Sequence, residues 1–237
     1  MVDDFYYDNS KIYSDEKHNK RGLWAWEQSA VNSFYKSCKS ILVIGVGGGR
    51  EALALGKLGY EVDGSECNPR LLQFAQKILS RDGENPNIQF TPRDQCPDTN
   101  KVYDGILLGY NTYMLIHGKS QRVAFLKKLC TIAKKQSPLL LSFYCRSGQG
   151  RRFKVIAITA NIMRFLLRRD PVESGDDLYP YALTTGDSRS ITLPYYVHYF
   201  TRDEIAAELK EGGFALAYYS TDDYPHAVGI VSNRERE

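Results

Sequence analysis

Little in this sequence is extreme, and what it lacks excludes several function classes. None of its five cysteines (Cys38, Cys67, Cys96, Cys130, Cys145) forms a Cys-x-x-Cys pair or stands at metal-ligand spacing from a histidine. That argues against a structural zinc site, and no metal is expected. An odd count without a framework points to free thiols in a reducing compartment. No apolar run nears the roughly 20 residues that span a bilayer. The first residues, MVDDFYYDNS, are acidic and aromatic rather than basic and then apolar, so no secretory leader is read there. The expectation is a soluble, cytoplasmic protein. A formal charge of +3 is too small to argue for nucleic acid by itself. There is no internal repeat and no low-complexity linker, so 237 residues, 43% of them apolar, suit a single domain over 1–237 with one substantial core.

Tyrosine is the abundant residue. Seventeen occur, bunched at 6–13, 103–113, 179–199 and 218–224. Such clusters suit a pocket or an interface, and equally plain packing with a bonded hydroxyl. Residues 1–19 are polar, lack periodicity and read as an N-terminal arm or a partly ordered cap. From Lys20 to about Ser37 the apolar residues recur at helical spacing.

The pattern then changes. Ser40-Ile-Leu-Val-Ile-Gly45 is a continuous β-branched run, as expected of a central parallel strand buried on both faces. From there to Tyr144 strand and helix alternate: a helix over 49–58, a strand at 60–65, and a helix opened by Asn68-Pro69 as N-cap and first-turn proline. Strands at 87–91 and 102–108, a helix over 120–134 and a strand at 138–144 follow. This order predicts a parallel sheet with helices on both faces. The tail differs. Thr201-Arg-Asp-Glu204 is a capping box for a helix ending at Gly212-Gly213. Two strands follow, 214–220 and 226–232, and the turn between them is too short for anything but antiparallel pairing.

The chemistry concentrates at the first strand end. Ile41–Ile44 runs into Gly45-Val46-Gly47-Gly48-Gly49, and a helix opens at once. Glycines permit the tight turn and let the backbone approach a ligand, while the helix N-terminus offers unpaired N–H groups. Glu66, 21 residues after Gly45 at the end of the second strand, stands where a carboxylate accepts hydrogen bonds from ribose hydroxyls. Asp94, just past the third strand, is placed to meet an adenine amino group. Each feature alone occurs in many α/β proteins; the order and spacing together make a nucleotide site. A dinucleotide oxidoreductase wants GxGxxG, whereas Arg50 stands at the third glycine here, which disfavours NAD or FAD.

VIGVGGGREALAL, EVDGSECNPRLL and IQFTPRDQ resemble the first three motifs of the class I S-adenosylmethionine-dependent methyltransferases, and HYFTRDEIAAELKEGGF looks like their last helix and reversed strands. The resemblance covers about 20–145 and 196–232. It implies a Rossmann-like three-layer αβα sandwich with a seven-stranded, mostly parallel sheet, order 3-2-1-4-5-7-6, strand 7 antiparallel. It also implies S-adenosyl-L-methionine as cofactor and S-adenosyl-L-homocysteine as product. By position, the methionine portion goes to Gly45, Val46 and Gly47, with Gly49 in the same turn. The ribose goes to Glu66, the adenine to Cys67, Asp94 and Gln95, and the sulfonium side to Tyr110.

The acceptor side is less constrained, because in-line methyl transfer needs chiefly proximity and alignment. Asn111, Tyr113 and His117 follow the fourth strand at the ligand-binding edge. Tyr113 and His117 are candidate catalytic groups, although His117 could equally cap the next helix. Asn111, Trp24, Arg151 and His198 are candidate acceptor contacts; Trp24 could also be core, and His198 could simply pack. An Asn-Pro-Pro-Tyr motif of amino-methylating nucleic-acid enzymes is absent. Residues 146–195 read as a substrate cover. Within it 151–169 form a basic amphipathic helix: an ordinary surface helix, a lid, a dimer contact or a membrane-surface helix. The expected function is methyl transfer to a small-molecule acceptor, oxygen-directed. The alternatives are a cofactor-binding protein without turnover and, less well supported, a nucleotide-dependent oxidoreductase. Nucleic-acid methylation has only the basic helix in its favour, and oligomeric state is left open.

Overall fold

The computed structural model describes residues 13–84, 86–146, 158–162, 164, 166, 172–184 and 190–232. The arm over 1–12, Arg151 and most of the expected basic helix lie outside them. A short helix α1 (Glu16–Asn19) precedes α2 (Ala25–Phe34). Then come β1 (Ser40–Ile44), α3 (Arg50–Lys57), β2 (Glu61–Glu66), α4 (Pro69–Arg81), β3 (Asn87–Phe90), β4 (Gly105–Leu108), α5 (Lys119–Thr131) and β5 (Pro138–Ser142). A short strand β6 (Tyr144–Cys145) leads to a hairpin of β7 (Asp176–Thr184) and β8 (Ser190–Phe200), then α6 (Arg202–Glu211), β9 (Phe214–Ser220) and β10 (His226–Val231).

The main sheet has seven strands in the order β3-β2-β1-β4-β5-β10-β9. The first five are mutually parallel, and β10 is antiparallel to both β5 and β9. This is the expected topology, with the reversed strand between the fifth and the edge. Period-two alternation explains the layers. From β1, Leu42 and Ile44 enter a core with α5 and α6, while Ile41 and Val43 enter a second core with α2, α3 and α4. A strand buried on both faces must be apolar throughout, which is what Ile41–Ile44 provides.

The expected caps are in place. Asn68 accepts hydrogen bonds from the amides of Arg70 and Leu71, both at 3.0 Å, with Pro69 at the first helical position. Thr201 and Glu204 bond reciprocally at the start of α6. Within the 171–194 stretch of the expected cover, Asp176–Thr184 pairs along its whole length with Ser190–Phe200, and β6 adds a third strand. The glycine-, serine- and proline-rich composition hid the period-two pattern.

Two polar ties fix the sheet. Tyr35, at the end of α2, is fully buried; its hydroxyl donates to the Ile106 carbonyl (2.6 Å) and accepts from the Leu140 amide (2.9 Å). Asp104 binds the start of β1 to the start of β4, accepting from the Lys39 and Ser40 amides at 3.0 Å each and pairing with Lys134 at 2.7 Å. The Lys134 bond, with the backbone amides of Ser40 and Lys39, holds the Asp104 carboxyl below the usual carboxylate range against the opposing effect of burial. A carboxylate so depressed stabilises the fold above its unfolded pKa, near 4, and that stability is lost as pH falls through the folded value. Asp104→Asn should therefore lower stability by about 1–2 kcal/mol near neutrality. The gap between the two proteins' thermal midpoints should close as the pH is taken below about 4. A gap independent of pH would remove the carboxylate from the account.

Candidate functional site

The sheet order reverses between β1 and β4, and ligands of open α/β sheets bind in the crevice at the carboxyl ends of such strands. There the chain leaves a cavity of about 260 Å³. Its floor is the turn after β1. Gly47 has φ of 57°, and a Cβ built on it would meet nothing within 4 Å, so this backbone faces open space where a ligand can lie against it.

Glu66, at the end of β2, forms the adjoining wall and is 5% exposed. Its Oε2 accepts from the Gly47 amide at 2.7 Å and its Oε1 from the Asn68 amide at 2.8 Å. The carboxylate thus joins the glycine turn to the cap of α4, and each oxygen keeps acceptor capacity for a further donor. Gly45, Val46, Gly47, Glu66, Cys67, Tyr110 and Trp24 all line this one cavity.

Other expected residues lie elsewhere. The chain passes the cavity at Thr91, Pro92 and Arg93, then turns back, with the Gln95 amide donating to the Pro92 carbonyl at 3.0 Å. That turn sends Asp94 and Gln95 to a separate depression beside Cys96 and Lys128. Gly49 is not part of the wall. At φ of 104° it caps α3, and a Cβ there would press on Ile78 at 3.2 Å, so it serves helix packing. Tyr113 is 1% exposed and donates to Glu208 at 2.6 Å, a core position turned away from the cavity. Asn111 is also buried, its amide bonded to Ser142 Oγ and its Oδ1 accepting from the Tyr224 hydroxyl at 2.8 Å. His117 is exposed and stacks on Tyr196, ring centres 4.4 Å apart. His198 is buried, with Nδ1 2.7 Å from Asp176 Oδ1; Glu173 stands nearby but pairs with Arg122.

Sequence reasoning named none of the residues of the roof. Tyr13, His18, Asn19 and Arg21 line the cavity from α1 and its flanks, and the Tyr13 carbonyl lies where a Cβ on Gly48 would stand. Asn19, buried, donates to that carbonyl at 2.9 Å, a bond within the roof itself. Behind it, Arg50 donates to both Glu27 oxygens (2.6 and 2.7 Å) and to Glu51 (2.6 Å). Burial opposes charge on Arg50, yet Glu51 and Glu27 hold its pKa above the ordinary arginine value. Glu51 also accepts from the Tyr110 amide at 3.2 Å, which ties the loop after β4 to this network. Arg21 stacks over the Trp24 ring at 3.8 Å. His18 is held below the usual histidine pKa by burial first, then by the charges of Arg50 and Arg21. Arg50 and Glu51 were legible as the first turn of a helix; their partner Glu27 carried no local signal.

No protein-family model matches the sequence, and no curated protein matches it. Solved structures do match in shape. CcbJ methyltransferase of Streptomyces caelestis superposes with a TM-score of 0.68 at 14% identity, covering 96% of this chain and 98% of that one. CalS10, an amino pentose methyltransferase of Micromonospora echinaspora solved with S-adenosylmethionine bound, gives 0.64 at 13% identity over 93% and 97% of the two chains. KedS8, a sugar N-methyltransferase from a Streptoalloteichus species, gives 0.64 at 13% over 98% and 93%. The chain has the Rossmann-like fold of class I S-adenosylmethionine-dependent methyltransferases.

Proposed function

We propose that this fold binds S-adenosylmethionine at the β1–β2 strand tips and transfers its methyl group to a small-molecule acceptor. The observation that carries the reading is the shared wall: a buried Glu66 carboxylate and the bare Gly45–Gly47 backbone border one cavity at the topological switch point. The residues suit the cofactor chemically. Glu66 has acceptor capacity for the two ribose hydroxyls, and Thr91–Arg93 with Cys67 frame the adenine side. At the other end Glu51 lies among the cationic Arg50 and Arg21, a mixed-charge surface that complements an amino-acid zwitterion. When bound, the cofactor supplies an electrophilic methyl carbon on a sulfonium. The protein's own contribution is to hold an acceptor in line with it and to keep water out with the α1 roof.

His18 is the proposed base. It borders the cavity, and its lowered pKa keeps the imidazole neutral near pH 7, able to take a proton from an acceptor hydroxyl. An amine acceptor is the second reading, favoured by the nitrogen-directed transfer in the name of the KedS8 neighbour.

S-adenosylhomocysteine at about 100 times its Kd should raise the thermal midpoint by roughly 5–10 °C. NAD should not raise it, and stabilisation by NAD alone would overturn the assignment. With an acceptor found by screening, His18→Gln should lower kcat about 10- to 100-fold and leave S-adenosylhomocysteine affinity within about threefold. His117→Ala should leave the rate nearly unchanged, since His117 stands outside the cavity. The wild-type rate should fall on the acid side of His18's depressed pKa, below about 6.5. Equal rates for His18→Gln and wild type would dismiss it as the base.

A further inference from the structure

The first turn of α3 carries more negative charge than its one guanidinium answers. Arg50 stands between two carboxylates, Glu27 from α2 and Glu51 next to it in the chain. Glu27 is 1% exposed, accepts from Arg50 through both oxygens and accepts from the Trp24 amide at 2.7 Å. It is not among the residues that border the cavity, whereas Glu51 is. Glu51 Oε1 accepts from Arg50 and from the Tyr110 amide. Its Oε2 accepts from no described residue, although the side chain is only 6% exposed. A carboxylate so far removed from water calls for a donor from a ligand. Burial raises the Glu27 pKa first, Arg50 opposes it and the charge of Glu51 raises it further, as surplus negative charge requires. Arg21 borders the same cavity, stacks over Trp24 and forms no ion pair among the described residues.

On the S-adenosylmethionine reading, on which this rests, we propose that Glu27 is a positioning residue for the cofactor's amino-acid end. By neutralising Arg50 it leaves Glu51 to bind the ligand's ammonium, with Arg21 left for the carboxylate. Arg50 then serves as a tie between α2 and α3 rather than as a binding cation. Glu27 itself touches neither the ligand nor the reacting atoms. Its effect is the sign of the charge that Glu51 presents, which matters most in a cavity shielded from water.

Two adenosine thioethers isolate the ammonium. Decarboxylated S-adenosylhomocysteine keeps it without the carboxylate, and methylthioadenosine carries neither charge. In isothermal titration of the full chain, wild type should bind the amine at least about tenfold tighter than methylthioadenosine. In Glu27→Gln the Arg50 charge falls on Glu51 alone, and the ratio should shrink to within about threefold. Glu27→Gln with Arg50→Met restores the surplus negative charge and should return the ratio to about tenfold. A purely structural role would weaken both probes together and leave the double variant no better than the single one. Glu51→Gln should also abolish the preference while keeping the Glu27–Arg50 pair, so it carries the test if Glu27→Gln fails to fold. Equal binding of the two probes by wild type, an unchanged ratio in either single variant, or no recovery in the double variant overturns the proposal. Failure of wild type to bind S-adenosylhomocysteine or either probe overturns the cofactor reading itself.

Discussion

Glu66→Gln should weaken S-adenosylhomocysteine binding about 100-fold, close to 3 kcal/mol. The substitution keeps the length and shape of the side chain and changes only what its two ends can do. Both carboxylate oxygens already accept a backbone amide, from Gly47 and from Asn68. An amide NH₂ must therefore meet one of those N–H groups head-on. Either the glycine turn or the cap of α4 loses its acceptor, and the ribose faces a neutral group in place of a charged one. Glu66→Asp keeps the charge on a shorter arm and should fall between. Isothermal titration reads the affinity directly, and a thermal midpoint lowered by only a few degrees would show that the fold persists. An unchanged dissociation constant in Glu66→Gln would sink the ribose role.

The largest stability loss is expected at Glu208. Its carboxylate, 2% exposed, accepts from Arg122 Nη2 at 2.7 Å, from Arg122 Nε at 3.0 Å and from the Tyr113 hydroxyl at 2.6 Å. Arg122, 1% exposed, also donates to Glu173 at 2.6 Å. Glu208→Ala leaves the buried guanidinium to Glu173 and the Ile116 carbonyl and strands a buried phenol, on a side of the sheet that holds a large part of the core. Removing one partner of such a pair costs about 3–5 kcal/mol. For a chain of this size the thermal midpoint should drop by roughly 10 °C. Arg122→Met combined with Glu208→Leu removes both charges together and should lose less than Glu208→Ala alone. A loss below about 1 kcal/mol in the single variant would mean that water reaches the site.

The contrast between the two sites explains what the sequence could disclose. Strands at 40–44 and 138–142 announce themselves because burial on both faces demands unbroken apolar runs, and caps at Asn68 and Thr201 are local rules read within four residues. The cavity floor was legible for the same reason: Gly45, Gly47 and Glu66 are neighbours through a strand pairing that the βαβ order implies. The roof was not. His18 and Arg21 reach the cavity only because α1 lies across the turn, a packing fact with no periodic trace. Asp94 was misplaced by a single turn at Pro92–Gln95, and Tyr113 by the depth to which a short loop helix sinks. The helical stretch at 158–162, 164 and 166 shows the limit most plainly. Its amphipathic pattern was readable, but which arc faces inward was decided by Asn161 and the backbone of Val172.

Tyr35 gives the sheet a property that strand pairing alone would not confer. Its hydroxyl stands in for a rung between β4 and β5, so part of the weave is contributed by α2. That helix begins directly after Trp24, on the rim of the cavity beside the glycine turn. One ten-residue helix thus borders the cavity at its first turn and, just past its last, supplies through a single phenol a polar link between two central strands.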